Sequence, residues 1–259
     1  MRLDDINHEP VEPTYRRFVK ALIPLLRPFR RRDWRNQHKV PQTGGVIFVA
    51  NHIGNFDVIV LGEYLIYSGR WPRFLGKIEI WRVPVLGWLA RACGQIPVYR
   101  HSDKAKEALI HAKGALRHGK AIMIYPEGTI TGDPDGWPMT GQTGVARLAL
   151  ETGCPVIPVG QDGAQRILGG KKIELRRLFG GPRRVTICCG DAVDLSDLSD
   201  LPLTRDVLDV ATTRIMDAIT AIVEDIRGED APALRYDIRK GYRTPQRREL
   251  NDRPPATSE

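Results

Sequence analysis

From residue 45 onward, short runs of apolar and β-branched residues alternate with longer stretches in which apolar positions recur every three or four residues. The runs GVIFVA (45–50), PRFLGK (72–77), QIPVY (95–99), AIMIY (121–125), CPVIPV (154–159) and RRVTICCG (183–190) predict strands. The stretches at about 56–68, 82–93, 103–118, 142–152 and 204–227 predict helices. This alternation predicts an α/β fold: a single domain over 39–227 with a mostly parallel or mixed β-sheet flanked by helices. Upstream, Phe18, Ala21, Leu22, Leu25, Leu26 and Phe29 recur at helical spacing among Arg16, Arg17, Lys20, Arg27, Arg30 and Arg31. Residues 14–38 therefore read as a basic amphipathic helical segment, kinked or interrupted at Pro24 and Pro28. Such a helix lies in a membrane interface or packs on the core with a solvated basic face. Residues 1–13, broken by Pro10 and Pro13, read as a disordered lead, and residues 228–259 as a charged tail or a loosely docked arm.

Composition narrows the picture. A chain of 259 residues with 42% hydrophobic and 27% charged residues can bury a substantial core, which excludes disorder of the whole chain. The net charge of +8 points to an anionic partner: nucleic acid, a phosphate-bearing substrate or an anionic membrane surface. No nucleic-acid-binding motif is visible, and the basic residues gather at 16–35 and 234–249. Cys93, Cys154, Cys188 and Cys189 have neither zinc-site spacing nor the density of a secreted scaffold, so reduced thiols and no metal are expected. The start MRLDDINHEP lacks the features of a signal peptide, and no run approaches the ~18 apolar residues that span a bilayer. Any membrane contact is therefore expected to be peripheral.

The candidate chemistry begins at NHIGNFD, Asn51–Asp57. Positions five apart on one α-helix are separated by about 140° of rotation, so His52 and Asp57 meet only if His52 precedes the helix. The sequence permits this, with VIFVA ending as a strand, Gly54 loosening the turn and Asn55 suited to cap a helix from Phe56. Asp57 then fixes the tautomer of His52 and leaves its other nitrogen as a general base. Alternatively, Asn51 and His52 cap the turn while Asp57 complements the helix dipole. GQIPVYR delivers Arg100 to a strand end, and YPEGTI follows AIMIY directly. Ligands of open α/β sheets sit at the carboxyl ends of strands, so His52, Arg100 and Glu127 share one rim on this reading. A planar arginine fork there suits a phosphate.

In order and spacing, NHIGNFD, GQIPVYR, YPEGTI and CPVIPV resemble the four motif blocks of the glycerolipid acyltransferases typified by 1-acyl-sn-glycerol-3-phosphate acyltransferase, over about residues 40–190. The resemblance implies transfer of an acyl group from acyl-CoA or acyl carrier protein to the hydroxyl of lysophosphatidate, giving phosphatidic acid without a cofactor. Glycerol 3-phosphate itself or another lipid hydroxyl is the alternative acceptor. A non-catalytic protein binding a membrane surface or nucleic acid is the alternative outside enzymes. The resemblance further implies that His52 is the base, Asp57 its orienting partner and Arg100 the phosphate ligand. Glu127, Gly128 and Thr129 shape the acceptor pocket, Pro155–Pro158 form wall or support, and Lys77 holds a recurrently basic position. Two residues depart from the family: Gly54 stands where serine is common, and Ile130 where arginine is common. A missing arginine leaves the phosphate to Arg100, Lys77 or Arg147, or else indicates a different acceptor.

Overall fold

The computed structural model describes residues 3–99 and 105–250. Its strands are β1 (Arg30–Arg35), β2 (Val46–Ala50), β3 (Pro72–Lys77), β4 (Ile96–Val98), β5 (Ala121–Ile124), β6 (Val156–Asp162), β7 (Arg183–Cys189), β8 (Arg235–Asp237) and β9 (Tyr242–Thr244). Its helices are α1 (Pro13–Leu26), α2 (Asp57–Tyr67), α3 (Glu79–Arg82), α4 (Pro84–Ala92), α5 (Ala105–Arg117), α6 (Gly144–Thr152), α7 (Gln165–Leu168) and α8 (Arg205–Arg227).

The first seven strands form one mixed sheet in the order β1-β7-β6-β2-β5-β3-β4. Five of them, β6, β2, β5, β3 and β4, run parallel, while β7 is antiparallel to β6 and β1 parallel to β7. The carboxyl ends of the five parallel strands therefore share one edge. Every residue of VIFVA is buried because β2 lies mid-sheet with both faces covered. Ile47 and Val49 join a core with α5, α6 and α8 on one face. Val46, Phe48 and Ala50 join a core with α2 and α7 on the other. The longest helix, α8, starts at Thr204, whose side chain accepts from the Val207 amide, and ends at Gly228 in the left-handed conformation, φ +68°.

The two ends of the chain differ from expectation. Residues 3–13 are docked: Leu3 is buried, the Asn7 side chain donates to the Ile66 carbonyl at 2.9 Å, and Glu9 accepts from the Trp71 amide at 2.6 Å. A few long-range polar bonds hold a segment that has no periodicity to reveal it. The segment over 14–38 is helical only to Leu26; after a short 3-10 turn its arginines enter strand β1. Six residues reading RRRDWR carry no strand alternation. Parallel pairing to β7 holds them, together with a buried ion pair in which Arg30 donates to Glu63 of α2, Nε to Oε2 at 2.7 Å. On α1 the buried positions are Tyr15, Val19, Ile23 and Leu26; the first three pack in a third core with Trp71 and Cys93, while Leu26 joins the core that contains α2. Leu25 points outward, 67% exposed. In the expected tail, β8 and β9 form a hairpin tied to the loop before α6, with Thr140 donating to the Tyr236 carbonyl at 2.9 Å and Arg243 to Asp133 at 3.0 Å. Among the described residues no helix is long and apolar enough to cross a membrane.

Candidate active site

His52 lies two residues beyond β2, on the edge where the parallel strands end, and Asp57 opens α2. The histidine precedes the helix, so the two side chains meet: His52 Nδ1 lies 2.7 Å from Asp57 Oδ2. The same oxygen accepts from the Ile53 amide at 2.7 Å and the Gly54 amide at 2.9 Å. One carboxylate oxygen thus closes the strand-to-helix turn and aims the imidazole. Its bond to Nδ1 sets the proton there in the neutral ring, and among the described residues no partner takes Nε2. Asp57 is fully buried. Burial pushes its carboxyl above the ordinary value, while the bonds from His52 and the two amides oppose that rise.

The backbone of His52 is held from both sides. Its amide donates to Glu127 Oε1 at 2.8 Å, and its carbonyl accepts from the Thr131 amide at 2.7 Å. Glu127 Oε2 accepts from the Met139 amide at 3.0 Å. Glu127 is buried, and its carboxyl faces inward onto two backbone donors. Loss of solvation raises it to about 8. Its neighbour Gly128 takes φ +72°, a left-handed turn that permits the chain to reverse after β5. Thr129 and Ile130 are half-buried on the same loop. Lys77 ends β3 on the shared edge, exposed. Arg100 lies outside the described residues. Arg147 turns towards Glu151, one turn along α6, at 3.7 Å.

Asn55 does not cap α2. The cap position is Phe56, and Asn55 instead bonds across to the loop after α7, its amide donating to the Gly169 carbonyl at 3.3 Å and its side chain to the Gly170 carbonyl. This crossing explains Gly54. A Cβ there would stand 2.8 Å from the Gly169 oxygen and 2.9 Å from the Gln165 Cα, both backbone atoms. The departure from serine is a packing requirement of this loop.

Three parts of the site had no signal in the spacing. Tyr125 stacks on His52, ring centroids 4.1 Å apart and planes 16° apart. Asn51 and Gln161 lock β2 to β6: the Asn51 side chain donates to the Gln161 carbonyl at 2.9 Å and accepts from its amide at 3.0 Å. Lys171 reaches the loop after Glu127, with Nζ 3.2 Å from where a Cβ on Gly132 would sit. The first two depend on strand register. Among the described residues no group of acidic, cysteine and histidine side chains could hold a metal ion.

An imidazole oriented by a buried carboxylate, its free nitrogen at the carboxyl edge of a mixed sheet, is a general-base site suited to deprotonating a hydroxyl. The chain belongs to the acyltransferase family, whose description, Acyltransferase, matches residues 31–161. It is 26% identical to the chloroplastic 1-acyl-sn-glycerol-3-phosphate acyltransferase BAT2 of Brassica napus over 143 residues, 54% of this chain and 40% of that protein. It is 31% identical to a lyso-ornithine lipid O-acyltransferase of Pseudomonas aeruginosa over 114 residues, 44% of this chain and 42% of that protein. The matched region spans less than half the length of these relatives. The fold resembles the crystal structure of the 1-acyl-sn-glycerophosphate acyltransferase PlsC from Thermotoga maritima, with a TM-score of 0.60 over 89% of this chain and 81% of that one, at 21% identity.

Proposed function

We propose that the protein transfers a fatty acyl group from an acyl thioester, acyl-CoA or acyl carrier protein, to the free hydroxyl of 1-acyl-sn-glycerol 3-phosphate. The observation that carries this reading is the 2.7 Å bond between His52 Nδ1 and Asp57 Oδ2, which leaves Nε2 at the rim. Nε2 takes the acceptor's hydroxyl proton as the oxygen attacks the thioester carbonyl. The C–O bond forms, the C–S bond breaks, and the proton passes from the imidazolium to the departing thiolate. Asp57 stabilises the imidazolium between these steps without itself carrying the proton. Glu127 and Thr131 act on the backbone of His52 and hold the ring in place, so Glu127 is a positioning residue in this mechanism. Arg100 and Lys77 supply the cationic end of the acceptor site, with Gly128 and Thr129 in its wall. The reaction needs no cofactor. Both lipids partition into bilayers and the thioester donors are cytosolic, so the reading sets the enzyme on the cytoplasmic face of an anionic membrane.

A second acceptor is supported by Ile130, which stands where the family commonly carries arginine, and by the similarity to lyso-ornithine lipid O-acyltransferases. Such an acceptor offers a hydroxyl without a phosphate. Incubation with both thioester donors, glycerol 3-phosphate, its 1-acyl form and a lyso-ornithine lipid, followed by mass spectrometry of the products, decides between them. Phosphatidic acid as the dominant product supports the first reading. A diacylated ornithine lipid in its place supports the second, and no acylated product with any acceptor overturns both.

A further inference from the structure

The segment between α7 and β7 is basic, apolar and outward-facing. Lys171, Lys172, Arg176 and Arg177 are exposed along it, against the single carboxylate of Glu174. Arg176 and Arg177 both pair with that glutamate, at 3.0 and 2.7 Å, which leaves the segment strongly positive. Among the same residues Phe179 is 89% exposed, and Ile173 and Leu175 also face solvent. Large apolar side chains this exposed have no partner in the fold, and clustered ones mark an interaction surface.

A second such feature rises from β3. Helices α3 and α4 leave its carboxyl end as a short helical pair, and along α4 the buried residue is Gly87, whose Cβ would collide with the Trp81 carbonyl. Val85 is 74% exposed, Trp88 59%, and Leu86 also projects outward. Arg82 and Arg91 are exposed on the same pair. The strand order puts these features on either side of the catalytic histidine: α3 leaves β3, the basic segment follows β6, and β2 with His52 lies between them. The basic segment is also bonded to the catalytic turn through Asn55 and the Gly169 and Gly170 carbonyls.

We propose that residues 171–179 and the α3–α4 pair form the face that docks on an anionic bilayer, with the apolar side chains entering the interface and the cations against lipid phosphates. This rests on the reading of a lipid acceptor. The combination of exposed aromatic and aliphatic tips with flanking arginines and lysines is what an interfacial element requires. It also solves a problem of access, because a two-footed contact astride His52 brings the acceptor's headgroup to the rim while its acyl chain stays in the membrane. Helix α1 is excluded as the principal contact, since Tyr15, Val19, Ile23 and Leu26 are used in the core.

The test is co-sedimentation of the full chain, carrying His52→Ala so that no product alters the lipid, with vesicles of phosphatidylcholine containing about a quarter phosphatidylglycerol. The parent should bind these vesicles, lose affinity with added salt, and bind pure phosphatidylcholine weakly. Leu175→Ser with Phe179→Ser, and separately Val85→Ser with Trp88→Ser, should each lower partitioning about tenfold or more, whereas Leu25→Ser on α1 should stay within about twofold. Wild-type-like binding by both double variants, loss from Leu25→Ser as large as theirs, or no binding by the parent would overturn the proposal. Acyl transfer to a short-chain, water-soluble 1-acylglycerol phosphate, measured on the His52 protein, separates the two readings. If transfer is absent while partitioning follows the predicted pattern, the docking face stands and the reaction falls. If transfer proceeds while the double variants bind like the parent, the docking face falls by itself.

Discussion

Residues 13–35 and residues 165–184 contain nearly the same ingredients, arginines and lysines among leucines, isoleucines and phenylalanines, yet they handle them in opposite ways. In the first, apolar side chains at Tyr15, Val19, Ile23 and Leu26 pack inward, and an arginine follows them: Arg30 is buried against Glu63. In the second, Ile173, Leu175 and Phe179 face water with the cations around them. Composition is therefore a poor guide to which basic segment turns its apolar side chains to solvent. The difference lies in what is available to pack against. Helix α1 lies over Trp71, Ile66 and Cys93 in a core of its own, whereas in the segment after α7 Leu178 packs on the main core and Ile173, Leu175 and Phe179 stay exposed.

The inner end of the second segment touches the His52–Asp57 turn, where substitutions should have the largest effects. His52→Ala should lower kcat/KM for acyl transfer by about a thousandfold with the melting temperature nearly unchanged, because a positioned general base contributes about 10²–10⁴ in rate. Asp57→Asn should follow it closely, since the amide cannot stabilise the imidazolium. A rate assay that finds either variant fully active removes the mechanism. In the first segment, Glu63→Gln should cost about 3–5 kcal/mol in denaturant unfolding, the range expected when one member of a buried ion pair is left unmatched. A loss below about 1 kcal/mol would mean that Arg30 is not inside, and the contrast with the exposed cations would collapse.

Smaller effects probe how tightly the second segment is coupled to the site. Gly54→Ser restores the residue common in the family but puts a Cβ 2.8 Å from the Gly169 carbonyl oxygen, so it should cost about 1–3 kcal/mol and reduce activity. Stability equal to the parent would show that the loop after α7 yields freely. Glu127 provides a pH test. Its value rises from the ordinary 4.5 to about 8, so between those limits the folded protein retains a proton that the unfolded chain has released. Stability from this group is complete below about pH 4.5 and is lost as pH rises to about 8. Glu127→Gln should flatten that part of the stability profile, and an identical slope in variant and parent refutes the assignment. The same variant turns an amide N–H₂ towards the His52 or Met139 backbone donor, so its activity should fall about tenfold. Last, Phe179→Ser and Leu25→Ser should each change the melting free energy by less than about 0.5 kcal/mol, because neither side chain packs in the core.

Much of this molecule could be read from residue order. The six strands from GVIFVA onward appear within a residue or three of their expected bounds, and the run at 82–93 differs mainly in being divided at Val83, ahead of Pro84. Apolar runs declare themselves because burial on both faces of a central strand demands them. The pairing of His52 with Asp57 was likewise accessible, since helical geometry forbids it anywhere except across a strand-to-helix turn. By contrast, β1 was hidden because its stability comes from the neighbouring strand and from Glu63, and neither is encoded within RRRDWR. The docked residues 3–13 and the β8–β9 hairpin were hidden for the same reason.

The site divides along that line. Local order was sufficient for the chemistry of the turn, because the groups that define it lie within six residues and their meeting follows from backbone geometry. Its surroundings required the fold. Glu127 turning inward to the His52 amide, Tyr125 stacking on the imidazole and Gly54 yielding to Gly169 are contacts between segments 73 to 115 positions apart. No periodicity reports such contacts, since each depends on which strands become neighbours and in what register.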